Sequence, residues 1–321
     1  MKTPDRRGAD AVADAFRRDE RYLWGVAYRL TGSAADADDV VQETFVRAIE
    51  NPPRDLDAPL RPWLLKVSVN LGRDLLRRRR RRSYRGEWLP SPVPFESDVE
   101  RLLVSGENEH STSPAERRYD LLESVSMAFL VALEALTPQQ RAVLLLRDVL
   151  DYGVHDTAKL LDIGESNVKT TLHRARRAMT AYDADRIDAS ARKSDSAKHA
   201  IERFLTALVS RDVDALKAVL AEGVIETSDG GGEFLAALNP IVGRDRVSRF
   251  LLGVTPKNVS EYRIDIRSLN AAPAFVVCGP ASAGRTASRF VVLVDVDDRG
   301  RIRRLFNVLA TAKLTHIDFG E

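Results

Sequence analysis

The sequence predicts a multidomain chain in which two all-α domains precede an α+β domain. Three observations carry this. Residues 10–82 and 115–183 place apolar side chains at helical spacing. Between them, 83–114 loses that period and is rich in Pro, Ser, Gly and Glu, a linker composition. From 197 to 321, helical patterns give way to strands, the order expected of an α+β domain.

In the first domain, Val40, Val41, Phe45, Ala48 and Ile49 share a helix face over residues 36–50, with Ser33 as N-cap. Asp39, Gln42 and Glu43 occupy the opposite face at i, i+3, i+4, forming one exposed acidic patch. NPPRDLDAP, 51–59, is a proline-bounded loop. A second helix runs from Leu60 into the arginine run Arg77–Arg82, with Leu60, Leu64, Val67, Leu71 and Leu75 as its apolar stripe. Trp63, Lys66, Asn70, Arg73, Asp74 and Arg77 lie away from that stripe. Trp63 on that polar face is unexpected for a purely structural helix, where its plainer use is as an anchor.

In the linker, Trp88, Leu89 and Phe95 are apolar enough for part of it to dock. Thr137-Pro138 is a helix start, a cap followed by proline at the first helical position. Residues 155–178 fit a helix-turn-helix: a short helix over 156–161, a turn at Asp162-Ile163-Gly164, and a second helix over 165–178. Val168, Leu172 and Ala175 face inward. Ser166, Asn167, Lys169, Thr170, His173, Arg174, Arg176 and Arg177 remain outside. Short polar groups near a helix start suit base edges, and the cations suit phosphates. The plainer alternative is a solvated helical hairpin.

In the third domain, helices fit 197–209, 212–221 and 244–253. EYRIDIRS alternates Tyr262, Ile264 and Ile266 with Arg263, Asp265 and Arg267. APAFVVCG, SRFVVLVDV and RIRRLFNVL follow as strands of an antiparallel meander, with a hairpin turn at DDRG, 297–300. Three glycines, Gly230, Gly231 and Gly232, follow Asp229 and permit positive φ and close backbone approach. They make either a flexible turn or a docking point.

Forty-nine Lys and Arg against 47 Asp and Glu leave a net charge of +2, so charge is arranged locally rather than as a global field. The one cysteine, Cys278, excludes an intramolecular disulfide and is expected to be a buried thiol in a reducing compartment. No apolar run reaches membrane-spanning length, and a cytoplasmic protein without membrane association is expected. No metal-ligand spacing, cofactor motif or catalytic constellation stands out. His199 and His316 have no partner that spacing can assign, so neither an enzyme nor a cofactor is expected.

Residues 135–179, ALTPQQRAVLLLRDVLDYGVHDTAKLLDIGESNVKTTLHRARRAM, resemble region four of the extracytoplasmic-function (ECF) sigma factors. GSAADADDVVQETFVRAIE, 32–50, and PWLLKVSVNLGRDLLRRRRR, 62–81, resemble the family's core-binding and −10 helices. The resemblance implies a chain that binds core RNA polymerase, through the β′ clamp helices and β flap, and promoter DNA. It assigns Asp39, Gln42 and Glu43 to polymerase. Trp63, Asn70, Asp74, Arg77 and Arg78 go to the −10 element, and the eight outward residues of the helix-turn-helix to −35. Residues 204–252 resemble the SnoaL-like domain fused to some members, a cone-shaped, nuclear-transport-factor-like fold. That likeness implies a regulatory domain acting in cis, with a small-molecule ligand of unassigned identity. Trp88-Leu89-Pro90-x-Pro92 resembles the accompanying linker motif, so Trp88, Leu89, Pro90 and Asp229–Gly232 become interdomain candidates. The family's basic residue after the glycines is Glu233 here, and its Leu-Gly turn is Leu161-Asp162. The competing reading is a one-component helix-turn-helix regulator with a sensing domain, which leaves the acidic patch and the Trp63–Arg82 helix unexplained.

Overall fold

The computed structural model describes residues 6–53, 55, 58–81, 84, 86–94, 118–186, 195–256, 258–281 and 284–320, and, within these, the side chains of all but 6–11, 80–81 and 195–198. The chain forms two compact units, residues 1–82 with 98–184 and residues 83–97 with 185–321.

The first unit begins with α1 (Arg6–Thr31), α2 (Ala34–Glu50) and α3 (Arg61–Arg81). Ser33 caps α2 as expected, its hydroxyl accepting from the Asp36 N–H at 3.2 Å. Tyr22, Leu23, Trp24, Tyr28, Leu64 and Leu65 are fully buried among these helices. The buried face of α3 is rotated from the expected stripe. Leu65, Ser68, Val69, Gly72 and Leu76 are buried with Leu60 and Leu64, while Val67, Leu71 and Leu75 are half-buried. Gly72 lets α3 approach α1, since a Cβ there would lie 2.6 Å from Leu30. The same rotation buries Arg73, expected on the polar face; on α2, Ile49, expected on the apolar face, is exposed.

α4 (Met127–Ala132) and α5 (Pro138–Leu144) follow, and α5 continues as a π-helical turn over Leu145–Val149. Thr137 and Gln140 form a reciprocal capping box at the expected start of α5. α6 (Val154–Leu161) and α7 (Glu165–Ala178) form the helix-turn-helix, and Asp162 between them is left-handed at φ 52°. Asp tolerates that conformation, so the departure from glycine leaves the motif intact.

Two guanidiniums finish the C-terminal end of α1, where helix carbonyls lack intrahelical donors. Arg141 of α5 donates to the Leu30 carbonyl at 3.1 Å, and Arg79 of α3 donates to the Thr31 carbonyl at 2.7 Å. Both also donate to Glu134, at 2.7 and 2.8 Å. Arg29 of α1, fully buried, reaches the Ser124 hydroxyl at 2.7 Å. Desolvation lowers its pKa to about 10.

The second unit has helices α8 (Asp195–Val209), α9 (Val213–Val219) and α10 (Arg244–Val254) against a six-stranded sheet. The strands are β1 (Leu220–Asp229), β2 (Ile241–Val242), β3 (Arg263–Leu269), β4 (Ala272–Cys278), β5 (Arg289–Val296) and β6 (Ile302–Val308), in the order β2-β1-β6-β5-β4-β3. Phe204, Leu216, Val224, Phe275, Val294 and Leu305 anchor the core between helices and sheet.

The expected meander exists over β3 to β6, but the sheet is mixed rather than antiparallel, because β1 pairs parallel to β6. A parallel partner needs a long crossover, and here the whole meander lies between β1 and β6. The helix expected over 212–221 stops at Val219, and β1 begins at Leu220. On the edge strand β3, Ile264 is half-buried but Ile266 is exposed. Cys278, expected buried, is half-buried at the end of β4.

Candidate nucleic-acid interface and linker clamp

Asp39, Gln42 and Glu43 are exposed together on α2, with Glu43 receiving Arg47 at 2.7 Å. On α3, Asp74, Arg77 and Arg78 are exposed, and Trp63 and Asn70 are half-buried. The Asn70 carboxamide oxygen accepts from Arg73 at 3.1 Å, and Asp74 pairs with Arg77 at 2.5 Å. Arg79 turns inward to Thr31 and Glu134 instead of continuing the exposed run. Arg82, the end of that run, lies outside the described residues, as do parts of the loop 51–59.

All eight candidate residues on α7 are exposed: Ser166, Asn167, Lys169, Thr170, His173, Arg174, Arg176 and Arg177. They are not equivalent. Arg176 forms a bidentate pair with the buried Asp148 at 2.6 and 2.8 Å, which ties α7 to the π-helical turn. Asn167 accepts from Thr171 at 2.9 Å, and Thr170 donates to the Ser166 carbonyl. Lys66 of α3 meets Asp162 of the helix-turn-helix at 2.6 Å. Thus α3 and the turn of the helix-turn-helix meet through an exposed ion pair.

The second unit carries the most highly organised polar cluster. Asp229, at the end of β1 and 1% exposed, accepts from the Leu89 N–H at 2.7 Å, the Tyr84 hydroxyl at 2.5 Å and the Gly231 N–H at 2.9 Å. It also pairs with Lys313. The Lys313 ammonium donates to the Leu89 carbonyl at 2.5 Å and lies 4.1 Å from the Trp88 ring centre and 5.0 Å from that of Tyr84. One carboxylate and one ammonium therefore take both backbone groups of Leu89, and two aromatic faces enclose the cation.

The linker continues along the β3–β4 hairpin. The Asn270 carboxamide accepts from the Val93 N–H at 2.9 Å, and the Asn270 N–H donates to the Val93 carbonyl at 3.1 Å. Asn270 and Ala271 both have positive φ, the geometry of a tight primed turn. Leu89, Ser91 and Val93 are wholly buried, and Pro90 is buried beside them.

The glycines explain how this packs. A Cβ on Gly230 would stand 2.5 Å from the Phe234 carbonyl oxygen, and one on Gly231, at φ 62°, would stand 2.7 Å from Ala310. Glu233, where the sign of the charge departs from the family pattern, accepts from the Thr311 N–H and hydroxyl at 3.1 and 3.0 Å. It thereby holds the turn that presents Lys313.

Sequence reasoning brought Trp88, Leu89, Pro90 and Asp229 together but missed Lys313 and Asn270. An Asn at a two-residue hairpin was a readable signal for the second. A single lysine in the C-terminal stretch gave none for the first.

Residues 15–82 match the family described as Sigma-70 region 2, and residues 126–179 match Sigma-70, region 4. Over 244 residues the chain is 33% identical to the ECF RNA polymerase sigma factor SigJ of Mycobacterium tuberculosis, covering 75% of this chain and 72% of that protein. The chain belongs to the ECF RNA polymerase sigma factors. A second relative, the ECF sigma factor SigG of the same organism, is 36% identical over 223 residues, and the chain spans 59% of its length. The crystal structure of M. tuberculosis SigJ overlays 95% of this chain and 98% of that one, with a TM-score of 0.70 at 25% identity.

Within this ECF sigma factor, region 2 is built on α1–α3 and region 4 on α4–α7. The C-terminal unit is α+β, with three helices against a mixed six-stranded sheet. Among the described residues, no helix is long and apolar enough to cross a membrane, and no group of three or more His, Cys, Asp or Glu could hold a metal ion.

Proposed function

We propose that this ECF sigma factor binds core RNA polymerase through the Asp39, Gln42 and Glu43 face of α2. In the same reading α3 engages the −10 element, the N-terminal part of α7 engages −35, and the second unit controls these activities in cis. The linker clamp carries the last step. The chain leaves α3 at Arg81 and within eight residues has both backbone groups of Leu89 held by Asp229 and Lys313. A tethered domain acts at high effective concentration, so no separate inhibitor is required.

A distance argument supports a need for opening. Elements centred at −10 and −35 lie roughly 85 Å apart along duplex, at about 3.4 Å per base pair. A 21-residue helix such as α3 is only about 30 Å long. With Lys66 and Asp162 at 2.6 Å, α3 and the helix-turn-helix reach one element at a time. Productive binding then requires the two regions to part, and a small molecule bound to the second unit would shift that balance.

Run-off transcription with core polymerase tests this by comparing the full chain with one truncated after residue 196. Promoter-specific output should change. Unchanged output together with unchanged core affinity would sink control in cis.

A further inference from the structure

We infer that the second unit is a receptor for a neutral, mostly apolar molecule that carries one hydrogen-bond donor, such as a hydroxyl. The site is a cavity of about 520 Å³ between α8, α10 and the helix-covered face of the sheet. That size falls in the range that holds a drug-sized molecule. Phe204 and Leu208 on α8, Phe250 on α10, and Phe275 and Phe290 on the sheet contribute to its apolar wall.

The mouth is apolar as well. Val209, Leu235 and Val254 line it and are 47%, 68% and 56% exposed. Apolar side chains left in water beside a cavity gain from being covered, at about 25 cal/mol per Å².

Against this surface two polar side chains stand together. Ser228 of β1 and Asn307 of β6 are register partners on adjacent strands, and both line the cavity. The Asn307 carboxamide oxygen is buried and has no hydrogen-bond partner. The Ser228 hydroxyl donates its proton to the buried Glu226 carboxyl, so its oxygen turns acceptor lone pairs to other donors. Both groups therefore call for a donor from the occupant. Leaving such an acceptor buried and unmatched is costly, which is how a site of this kind rejects an analogue without the donor.

A carboxylate ligand is disfavoured at this end, because Ser228 and Asn307 both turn acceptor oxygens toward it. Arg285 at the rim does not reverse this. Its guanidinium is engaged by the Gly232 and Glu233 carbonyls, at 3.1 and 3.3 Å, and holds the glycine turn. The site also adjoins the clamp. Ser228 lines the cavity, the next residue, Asp229, holds the linker, and residues 235–237 line the cavity wall. Control of the linker by the occupant rests on the reading of this unit as a cis regulator; binding itself does not.

The test uses the full chain and the neutral fluorescent amine N-phenyl-α-naphthylamine, displaced by β-naphthol, by its methyl ether or by β-naphthoate. Saturable fluorescence enhancement is expected, with β-naphthol displacing the probe about tenfold more effectively than the ether or the acid, the equivalent of one matched donor. Asn307→Leu should erase the preference for the naphthol over its ether while retaining the probe. Leu208→Trp should abolish probe binding with the circular dichroism spectrum unchanged. Absence of saturable binding to the unaltered chain would overturn the inference, as would equal displacement by naphthol and ether. Run-off transcription with saturating β-naphthol separates the two readings. Binding without a change in output supports the receptor and rejects ligand control of promoter use.

Discussion

Two lysine–aspartate pairs join segments far apart in this sequence, and they differ in kind. Lys313–Asp229 has side chains 9% and 0% exposed, while Lys66–Asp162 has side chains 35% and 70% exposed. The first sits among backbone groups and aromatic rings that satisfy both charges. Removing either partner strands the other in a dry site. The second lies in water that would solvate both ends if they parted, so it contributes at most about 1 kcal/mol. The joint in the first unit has a buried part too, but Arg29 and Arg141 there bind mainly carbonyls. Burial already lowers the Arg29 pKa to about 10, and opening would return its water. The linker is fixed to the second unit by a dry ion pair, whereas Lys66 and Asp162 can each exchange the other for solvent.

The largest effect that could break this comparison lies at the clamp. Lys313→Met should lower the unfolding free energy in urea by about 3–5 kcal/mol, because Asp229 is left buried without its cation. Adding Asp229→Asn should recover part of the loss, since it removes the stranded charge, although its single oxygen can keep the donors of only one of the two carboxylate positions, Leu89 or Tyr84 with Gly231. A loss below 1 kcal/mol would place the clamp in the same class as the exposed pair.

The next effect separates the clamp from the strand that carries it. Glu226 is 1% exposed, and burial pushes its carboxyl pKa up to about 7. In the folded chain it keeps its proton to higher pH than in the unfolded chain. Its contribution to stability is therefore fully present below about pH 4.5, falls as pH rises toward 7, and is flat above that. Glu226→Gln should stabilise the protein by about 3 kcal/mol above pH 7 and by nothing near pH 4. Urea titrations at both pH values check this, and a pH-independent difference would contradict it.

At the joint, Asp162→Gly removes the exposed pair and relieves a left-handed Asp, so stability should change by no more than about 1 kcal/mol. Transcription from a −10/−35 promoter should rise as the regions separate more readily. A destabilisation of the size expected at Lys313 would erase the distinction. The smallest effect on stability is expected at Arg77→Ala, whose ion pair with Asp74 is about half exposed at both ends. Its signature is instead in DNA binding by holoenzyme, where losing one phosphate contact should reduce the salt-dependence slope by roughly 0.9.

Where local rules decide the outcome, the structure was legible in the sequence. Ser33 and Thr137 cap helices where capping chemistry places them, and the helix-turn-helix forms over the expected residues with Asp162 left-handed. The meander strands were legible too, β3 by its alternation and β4 to β6 as further strand segments. What escaped depended on pairing between distant segments. The parallel β1–β6 contact has no local signal, because β1 directly follows a helix and shares its apolar run. The rotation of α3 depends on Gly72 meeting Leu30, which leucine spacing cannot reveal. At the clamp, composition marked Trp88 and Leu89 as dockable and family likeness marked Asp229, but Lys313 becomes meaningful only once the C-terminal turn brings it there.

The clamp also has an order in time. Leu89 and Lys313 are 224 residues apart in the chain. At ribosomal rates of about 5–20 residues per second, roughly 10–45 s separate the synthesis of one from that of the other. Regions 2 and 4 are complete before β6 and Lys313 are made. Under the proposed control in cis, each newly made copy passes through a period in which regions 2 and 4 exist without the clamped second unit. A nascent chain, or one whose synthesis ends early, would behave as the truncated protein does.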